Sequence, residues 1–490
     1  MKFISAKKRL LLFLVPVCAG FYFAGCSSTP QKESPVKLDS AAAPAAPAAK
    51  KAVQQTAGFE RGKLIQRIVC LADTSVSYAL YVPASVRDSR MTALVVFFDP
   101  HAAGAWPLKK YSPLAEKYGC VFVGSNNSKN GNPIETNGRF ARIVLADIRS
   151  RVNIDPGRIY TCGFSGGSRV ASAVAIFQGG INAVIGCGAG FPNIEKPIEN
   201  KFNYVGIAGN EDFNSDEMEE LERTLSQSDI EHVFLPFKGK HEWCPLEIME
   251  SAFTWIAFKE MKQNKIPRND SLVKSFLGSE EKTVSGLMKK KEDYLALLEA
   301  RKTLSYMSGL ESSKTLEDLV RSLKNSPLVE KNLQRREDLA RTEKVLKEQY
   351  LNAMALKDES WWKTEVLRMN DGKRFPPDQL AMNKRVLSYL SLACYMNINQ
   401  LMHANQPEEG DRYISLYKII DPSNPEGPYL QALRDNEKKQ GDQALLELTR
   451  AAKLGFRERD RFERDFPEMK NSSIGQRLIK TIAENAEKEN

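Results

Sequence analysis

Gly163-Phe164-Ser165-Gly166-Gly167 is a Gly-x-Ser-x-Gly pentapeptide lying between a β-rich run, Arg158 to Cys162, and a helix-compatible run, Ser168 to Ala175. A serine on a sharp strand-to-helix turn presents its hydroxyl at the end of a sheet. The turn needs small residues on either side, because side chains there would meet the neighbouring strand or helix. Ser165 is therefore the candidate nucleophile. Average Gly and Ser usage yields such a pattern by chance in roughly one chain in six of this length, so the assignment has to be carried by its context and partners.

A serine hydroxyl attacks poorly at neutral pH unless a base lies within hydrogen-bond reach and a third group orients that base. The chain offers four histidines: His101, His232, His241 and His403. In an open α/β sheet the chemistry gathers at the carboxyl ends of the strands. His232 precedes the strand-like run Val233 to Phe237 and His403 belongs to a helical region, whereas His241 follows that run after Lys238-Gly239-Lys240. His241 is the candidate base. The preceding strand-like run, Tyr204 to Ala208, leads into Gly209-Asn210-Glu211-Asp212-Phe213-Asn214-Ser215. Asn214 with Glu217 reads as a capping box, which leaves Asp212 on the loop as the candidate acid, with Glu211 as its competitor.

The order Ser165, Asp212, His241 is the chain order of the α/β-hydrolases. Asp155-Pro156-Gly157-Arg158-Ile159-Tyr160 before the turn, Gly209-x-x-Asp212 for the acid and Gly239-Lys240-His241-Glu242-Trp243 for the base resemble a compact esterase of the feruloyl esterase and polyhydroxybutyrate depolymerase group. The resemblance covers residues 59 to 260. It implies an ester hydrolase working through an acyl-enzyme, without metal or organic cofactor, on an ester-containing substrate. In that fold one oxyanion donor is the backbone N–H after the nucleophile, here Gly166, and the other comes from the loop after the third strand. That loop commonly carries a His-Gly pair in the group, whereas this chain has Asp99-Pro100-His101-Ala102-Ala103-Gly104. The N–H of Ala102 is the expected donor, with Ala103 and His101 as alternatives, and His101 is expected to shape the loop. Trp106, Phe191 and Trp243 are expected with His101 at the substrate rim, stacking on a ligand or packing the rim. The segment from Gly190 to Phe202 is too short for a large lid, so an open site suited to a bulky or polymeric substrate is expected.

The elements that must position these residues follow an α/β pattern. Between residues 58 and 262, runs such as Ala93 to Phe98, apolar throughout and so covered on both faces, alternate with amphipathic stretches, which predicts a mostly parallel sheet. Strands are expected at 65–71, 78–82, 93–98, 120–123, 159–163, 183–185, 204–208 and 233–237. Helices are expected at about 109–117, 139–151, 166–177, 215–227 and 246–261. Residues 263 to 380 form a charged α-helical region, with helices expected over 280–304 and 316–356 and Lys289-Lys290-Lys291 as one solvated helical turn. Residues 381 to 490 read as helix pairs similar to tetratricopeptide units, with one clear unit after Asp421-Pro422-Ser423-Asn424-Pro425 and a degenerate neighbour at about 386–420. A generic helical bundle is the alternative. The region is expected to bind a protein partner or to brace the hydrolase.

The first residues carry Lys2, Lys7, Lys8 and Arg9, then an apolar run from Leu10 to Phe23 that is short for a membrane span. Residues 1–25 are thus expected to be a signal peptide. Phe23-Ala24-Gly25-Cys26-Ser27-Ser28 resembles the lipobox of bacterial lipoproteins, which implies cleavage before Cys26, a lipid on Cys26 and anchorage to a membrane of the bacterial cell envelope, facing the periplasm or at the cell surface. Residues 26–57, rich in Pro and Ala, read as a flexible tether. Removing the four cations of the signal lowers the formal charge from +9 to +5, too mild to argue for nucleic acid. No Cys-x-x-Cys spacing suggests a metal site, and Cys120, Cys162 and Cys187 sit in apolar runs where a thiol acts as a small core residue. Two alternatives to the esterase remain from sequence: an idle hydrolase-like scaffold working through its helical repeats, and a serine peptidase.

Overall fold

The computed structural model describes residues 59–194 and 197–488. The expected signal peptide, the lipid site at Cys26 and the tether lie outside the described residues. At the centre is an eight-stranded sheet formed by β1 (Leu64–Val69), β2 (Ser77–Tyr81), β3 (Thr92–Phe98), β4 (Cys120–Ser125), β5 (Ile154–Phe164), β6 (Ala183–Cys187), β7 (Asn203–Gly209) and β8 (His232–Phe237). Their spatial order is β1-β2-β4-β3-β5-β6-β7-β8. Strand β2 is antiparallel to both neighbours, and from β4 to β8 all pairs are parallel. This is an α/β-hydrolase sheet, with every expected strand present.

Strand β3 shows why a continuous apolar run belongs in the middle. Successive side chains point to opposite faces. Val95 and Phe97 join the cluster built with α1 (Ala105–Tyr118) and α5 (Leu246–Lys262). Leu94, Val96 and Phe98 join the opposite cluster, built with α2 (Ile134–Arg151) and α3 (Gly166–Ala173). With both faces covered, alternation has nowhere to show. The smaller α4 (Ser215–Leu225) flanks β7 and β8. Helix α3 stops earlier than the expected 177, giving way at Val174–Gln178 to a π turn that ends at Gly179, whose φ is 71°.

The helical region begins on the sheet domain. Helices α6 (Asp270–Lys289) and α7 (Asp293–Met307) pack against α5, where Phe276 stacks on Tyr306 at 5.2 Å and both rings contact Phe258. Two expected helices are each divided. Lys290 caps α6 and Lys291 turns with φ of 60°, so the lysine triplet ends a helix and opens a turn. The 316–356 stretch separates into α8 (Lys314–Leu323) and α9 (Pro327–Leu356), because a proline is accommodated in the first turn of a helix and not in its interior. There follow α10 (Glu359–Met369), α11 (Pro377–His403), α12 (Pro407–Ile420), α13 (Glu426–Glu437), α14 (Gly441–Lys453), α15 (Arg459–Asp465) and α16 (Ser473–Lys488). Residue 381 falls inside α11. Helices α11 and α12 pack together, as do α13 and α14. Ala432, Ala444, Ala451 and Ala452 are buried between the latter, where small side chains let helices approach.

Among the described residues, no helix is long and apolar enough to cross a membrane. Cys70, Cys120, Cys162, Cys187, Cys244 and Cys394 are buried free thiols.

Candidate active site

Strand β5 delivers Ser165 into a backbone conformation, φ 53° and ψ −123°, that L-residues rarely adopt. Such strain costs about 1–3 kcal/mol and persists only where the surroundings fix it. Here Ser165 donates its N–H to the Cys187 carbonyl at 2.8 Å, and its own carbonyl accepts from Ser168 N–H at 3.0 Å. The glycines explain themselves by contact. A Cβ at Gly163 would overlap the Gly167 carbonyl, and one at Gly167 would overlap the Phe98 carbonyl. Backbone meets backbone at both places, so the turn closes only with glycine on each side of the serine.

His241 stands in the loop between β8 and α5, at the carboxyl end of its strand. Its Nε2 lies 2.9 Å from Ser165 Oγ. Its Nδ1 lies 2.9 Å and 3.0 Å from the two carboxylate oxygens of Asp212. With Nδ1–H directed to Asp212, Nε2 is free to accept the serine proton. Asp212 is 1% exposed and also accepts the Asn214 N–H at 2.8 Å. The imidazole is held by Phe164 and Phe213, with ring centroids 4.7 Å and 4.2 Å away. The three expected residues are thus joined in one hydrogen-bonded line from three different strand ends.

The competitor Glu211 faces the other way, pairing with Lys384 of α11 at 2.8 Å. The capping box does not form. Asn214 donates its side-chain amide to the Gly188 carbonyl at 2.8 Å, and Glu217 accepts the Gly190 N–H at 2.8 Å while pairing with Arg169. Both side chains tie α4 to the loop after β6, where tertiary partners outcompete the local cap.

Facing the nucleophile is the loop after β3. Asp99 is 5% exposed and accepts from His101 N–H at 2.9 Å and from the Trp243 indole N–H at 3.0 Å. Burial works against its charge, yet these hydrogen bonds and His101 hold the carboxyl below the usual aspartate range. Ala102 has φ of 60°, and its N–H points back to the Asp99 carbonyl at 3.2 Å. The expected donor is therefore engaged within the loop, as is His101 N–H. The next amide, Ala103 N–H, makes no hydrogen bond among the described residues. Gly166, first residue of α3, carries one of that helix's unpaired N–H groups.

The expected rim separates into different roles. Trp243 is 6% exposed and belongs to the core, wedged against Phe97, Tyr111 and Phe164 with its indole N–H committed to Asp99. A buried tryptophan needs a partner for its N–H, and Asp99 supplies it. Phe191 packs edge-on against Tyr204 at 5.0 Å and is half-buried. Trp106 is half-buried against Trp243 with Lys110 over its face. The His101 side chain is 68% exposed, and its contact with the Asp99 carboxylate raises its pKa. His232 opens β8 and His403 closes α11, away from the triad. Among the described residues, no three His, Cys, Asp or Glu side chains converge as a metal site.

Two features had no reading in the sequence. Helix α11 reaches the loop that holds Asp212, where Lys384 pairs with Glu211 and Arg385 donates to the Asn210 carbonyl at 2.8 Å, and α9 reaches the adjoining α4 through Lys347 and Asp216 at 3.1 Å. The loop after β4 lays Asn130 against Gly166. The only sequence signal for it was its place in an asparagine-rich run at the carboxyl end of a strand.

No protein-family model matches the chain, and no curated protein matches it. Among solved structures it is similar to a hyperthermophilic esterase from the archaeon Pyrobaculum calidifontis, at 16% identity over 43% of this chain and 86% of that one, with a TM-score of 0.33. It is also similar to S-formylglutathione hydrolase from Staphylococcus aureus, at 12% identity over 40% of this chain and 98% of that one, with a TM-score of 0.32.

Proposed function

We propose that the chain is a serine hydrolase that cleaves an ester through an acyl-enzyme. The observation that carries this reading is the unbroken line Ser165 Oγ, His241 Nε2, His241 Nδ1, Asp212, with both links at 2.9 Å and the serine on a strained turn. Ser165 Oγ attacks the ester carbonyl while His241 Nε2 takes its proton. Asp212 keeps the imidazole in the correct tautomer and stabilises its charged form. The carbonyl electron pair moves to the oxygen, which is met by Gly166 N–H and by a loop N–H. The Ala103 amide, which makes no hydrogen bond among the described residues, is available for this, whereas Ala102 N–H is engaged with Asp99. As the tetrahedral species collapses, the leaving alcohol takes the proton from His241. Water then repeats the sequence and releases the acid.

Further parts of the reading come from the sequence. Cys26 carries a lipid that anchors the chain to a membrane of the bacterial envelope, residues 26–57 act as tether, and a bulky or polymeric ester is the substrate, in line with the feruloyl esterase and depolymerase resemblance. The helices after residue 381 act as tetratricopeptide-like units that brace the hydrolase and receive a partner. A second reading, an idle scaffold, draws on the inward-facing Ala102 amide. Turnover of p-nitrophenyl esters by the full chain, lost in Ser165→Ala, supports the enzyme; a properly folded chain inert towards esters supports the scaffold. Cleavage of peptides but not esters points to a peptidase.

A further inference from the structure

Asn130 belongs to a polar loop in which nearly every other side-chain amide has a partner. Asn126 donates to the Gln66 carbonyl, and Asn127 accepts from Ser77 N–H and donates to the Ser75 carbonyl. Asn132 donates to the Asn127 carbonyl and to Asn137, which in turn holds both backbone groups of Lys129. The side chain of Asn130 makes no hydrogen bond among the described residues, yet its backbone is pinned. Its N–H donates to the Pro100 carbonyl at 2.8 Å, and the adjoining Lys129 forms an antiparallel bridge with His101. The loop after β4 is thus sewn to the loop after β3, and its unpaired Asn130 amide is brought to Gly166, the residue that follows Ser165.

The place it reaches is specific. A Cβ at Gly166 would collide with Asn130 Oδ1 and lie 2.9 Å from its Cγ and 3.5 Å from its Nδ2. The amide therefore rests on the residue whose N–H is expected to meet the oxyanion. Rotation of the amide exchanges Oδ1 and Nδ2, and among the described residues no side-chain hydrogen bond holds either atom, so Nδ2 is free to turn to the Gly166 side.

We infer that the Asn130 side-chain amide is a donor to the oxyanion formed when Ser165 attacks, a third one beside Gly166 N–H and the loop amide after β3. This rests on the reading of Ser165 as nucleophile. The bond that forms is Ser165 Oγ to the carbonyl carbon, the electron pair goes to the carbonyl oxygen, and the proton goes to His241. Asn130 transfers nothing and stabilises the oxygen. The arrangement accounts for a chain that lacks the His-Gly pair of its resembling group and keeps its Ala102 amide turned inward. The backbone of Asn130 is fixed by its N–H to the Pro100 carbonyl, so a turn of the exposed terminal amide is the one adjustment needed to present Nδ2 in place of Oδ1.

The test compares wild-type full chain with Asn130→Ala and with Asn130→Asp, which keeps the shape but removes the donor. The readouts are p-nitrophenyl butyrate turnover, affinity for a trifluoromethyl ketone that forms a tetrahedral adduct, and the thermal unfolding midpoint. Loss of one oxyanion donor slows kcat by about 10²-fold. The expected result is such a fall in both variants with little change in KM, a parallel loss of ketone affinity, and an unchanged midpoint. An active wild type whose two variants keep kcat and ketone affinity within about threefold would overturn the role of Asn130 alone, since donor loss costs far more than that. A wild type that turns over no ester and does not bind the ketone overturns the hydrolase reading and this inference with it.

Discussion

Arg385 donates from Nη1 to the carbonyl oxygen of Asn210 at 2.8 Å, so a helix of the C-terminal region holds the loop that carries Asp212. The same guanidinium grips Glu343 of α9, a carboxylate with no exposed surface, and Lys347 bonds Glu343 at 2.8 Å while also reaching Asp216. Burying a carboxylate is costly unless cations and hydrogen bonds surround it. Two cations do so here, and each also touches the sheet domain, Arg385 at Asn210 and Lys347 at Asp216.

Arg385→Ala leaves Glu343 buried with one cation. The expected cost is about 3 kcal/mol in urea unfolding, as for removal of one partner of a buried pair. Freeing the Asp212 loop should also lower kcat by about tenfold, because small misplacements of a catalytic group are amplified in rate. The pair Arg336 to Glu219 spans the same two regions but is exposed to solvent at 49% and 33%. Arg336→Ala should therefore change stability by less than about 1 kcal/mol.

Gly167→Ala places a methyl group into the Phe98 carbonyl, where neither side can rotate away. The expected result is a loss of about 1–3 kcal/mol and a fall in activity of about 10²-fold, read from thermal unfolding and ester turnover. Gly278, inside α6, has nothing within 4 Å of its would-be Cβ. Gly278→Ala should instead stabilise the protein by about 0.5–1 kcal/mol, because alanine is the better helix former.

Glu280 on α6 faces Glu299 on α7, and burial together with that neighbour pushes its pKa from 4.5 up to about 7. The folded state therefore holds this proton more tightly than the unfolded chain. Stability from this site is full below about pH 4.5 and is lost as pH rises to about 7. Glu280→Gln keeps the shape without the charge. It should unfold later than wild type at pH 8 by about 1 kcal/mol, a difference that vanishes near pH 4, as scans at the two pH values would read.

The strands, and the meeting of Ser165, His241 and Asp212, were legible because each has a short-range or positional signature. Ala93 to Phe98 could only be a covered strand, and His241 lies just past a strand's carboxyl end and after Asp212 in the chain order. What escaped was decided by distant partners. Trp243 looked like a rim aromatic until Asp99 supplied a partner for its indole N–H. Asn214 and Glu217 had the spacing of a local cap and were taken up by Gly188, Gly190 and Arg169. The Ala102 amide turned inward because of a positive φ that no alanine announces. Lys384 and Arg385 meet Glu211 and Asn210 across more than 170 residues, a pairing with no local signature in either segment. The helix breaks at Lys290 and Ser326 lay within otherwise continuous helical patterns.

In the proposed reaction Ser165 is a nucleophile activated by His241, and treatment of the full chain with diisopropyl fluorophosphate, read by intact mass and peptide mapping, tests that role. One adduct per chain on Ser165, absent in Ser165→Ala and formed far more slowly in His241→Ala, is the predicted result. A folded wild-type protein that remains unmodified, or that carries the adduct elsewhere, would contradict it.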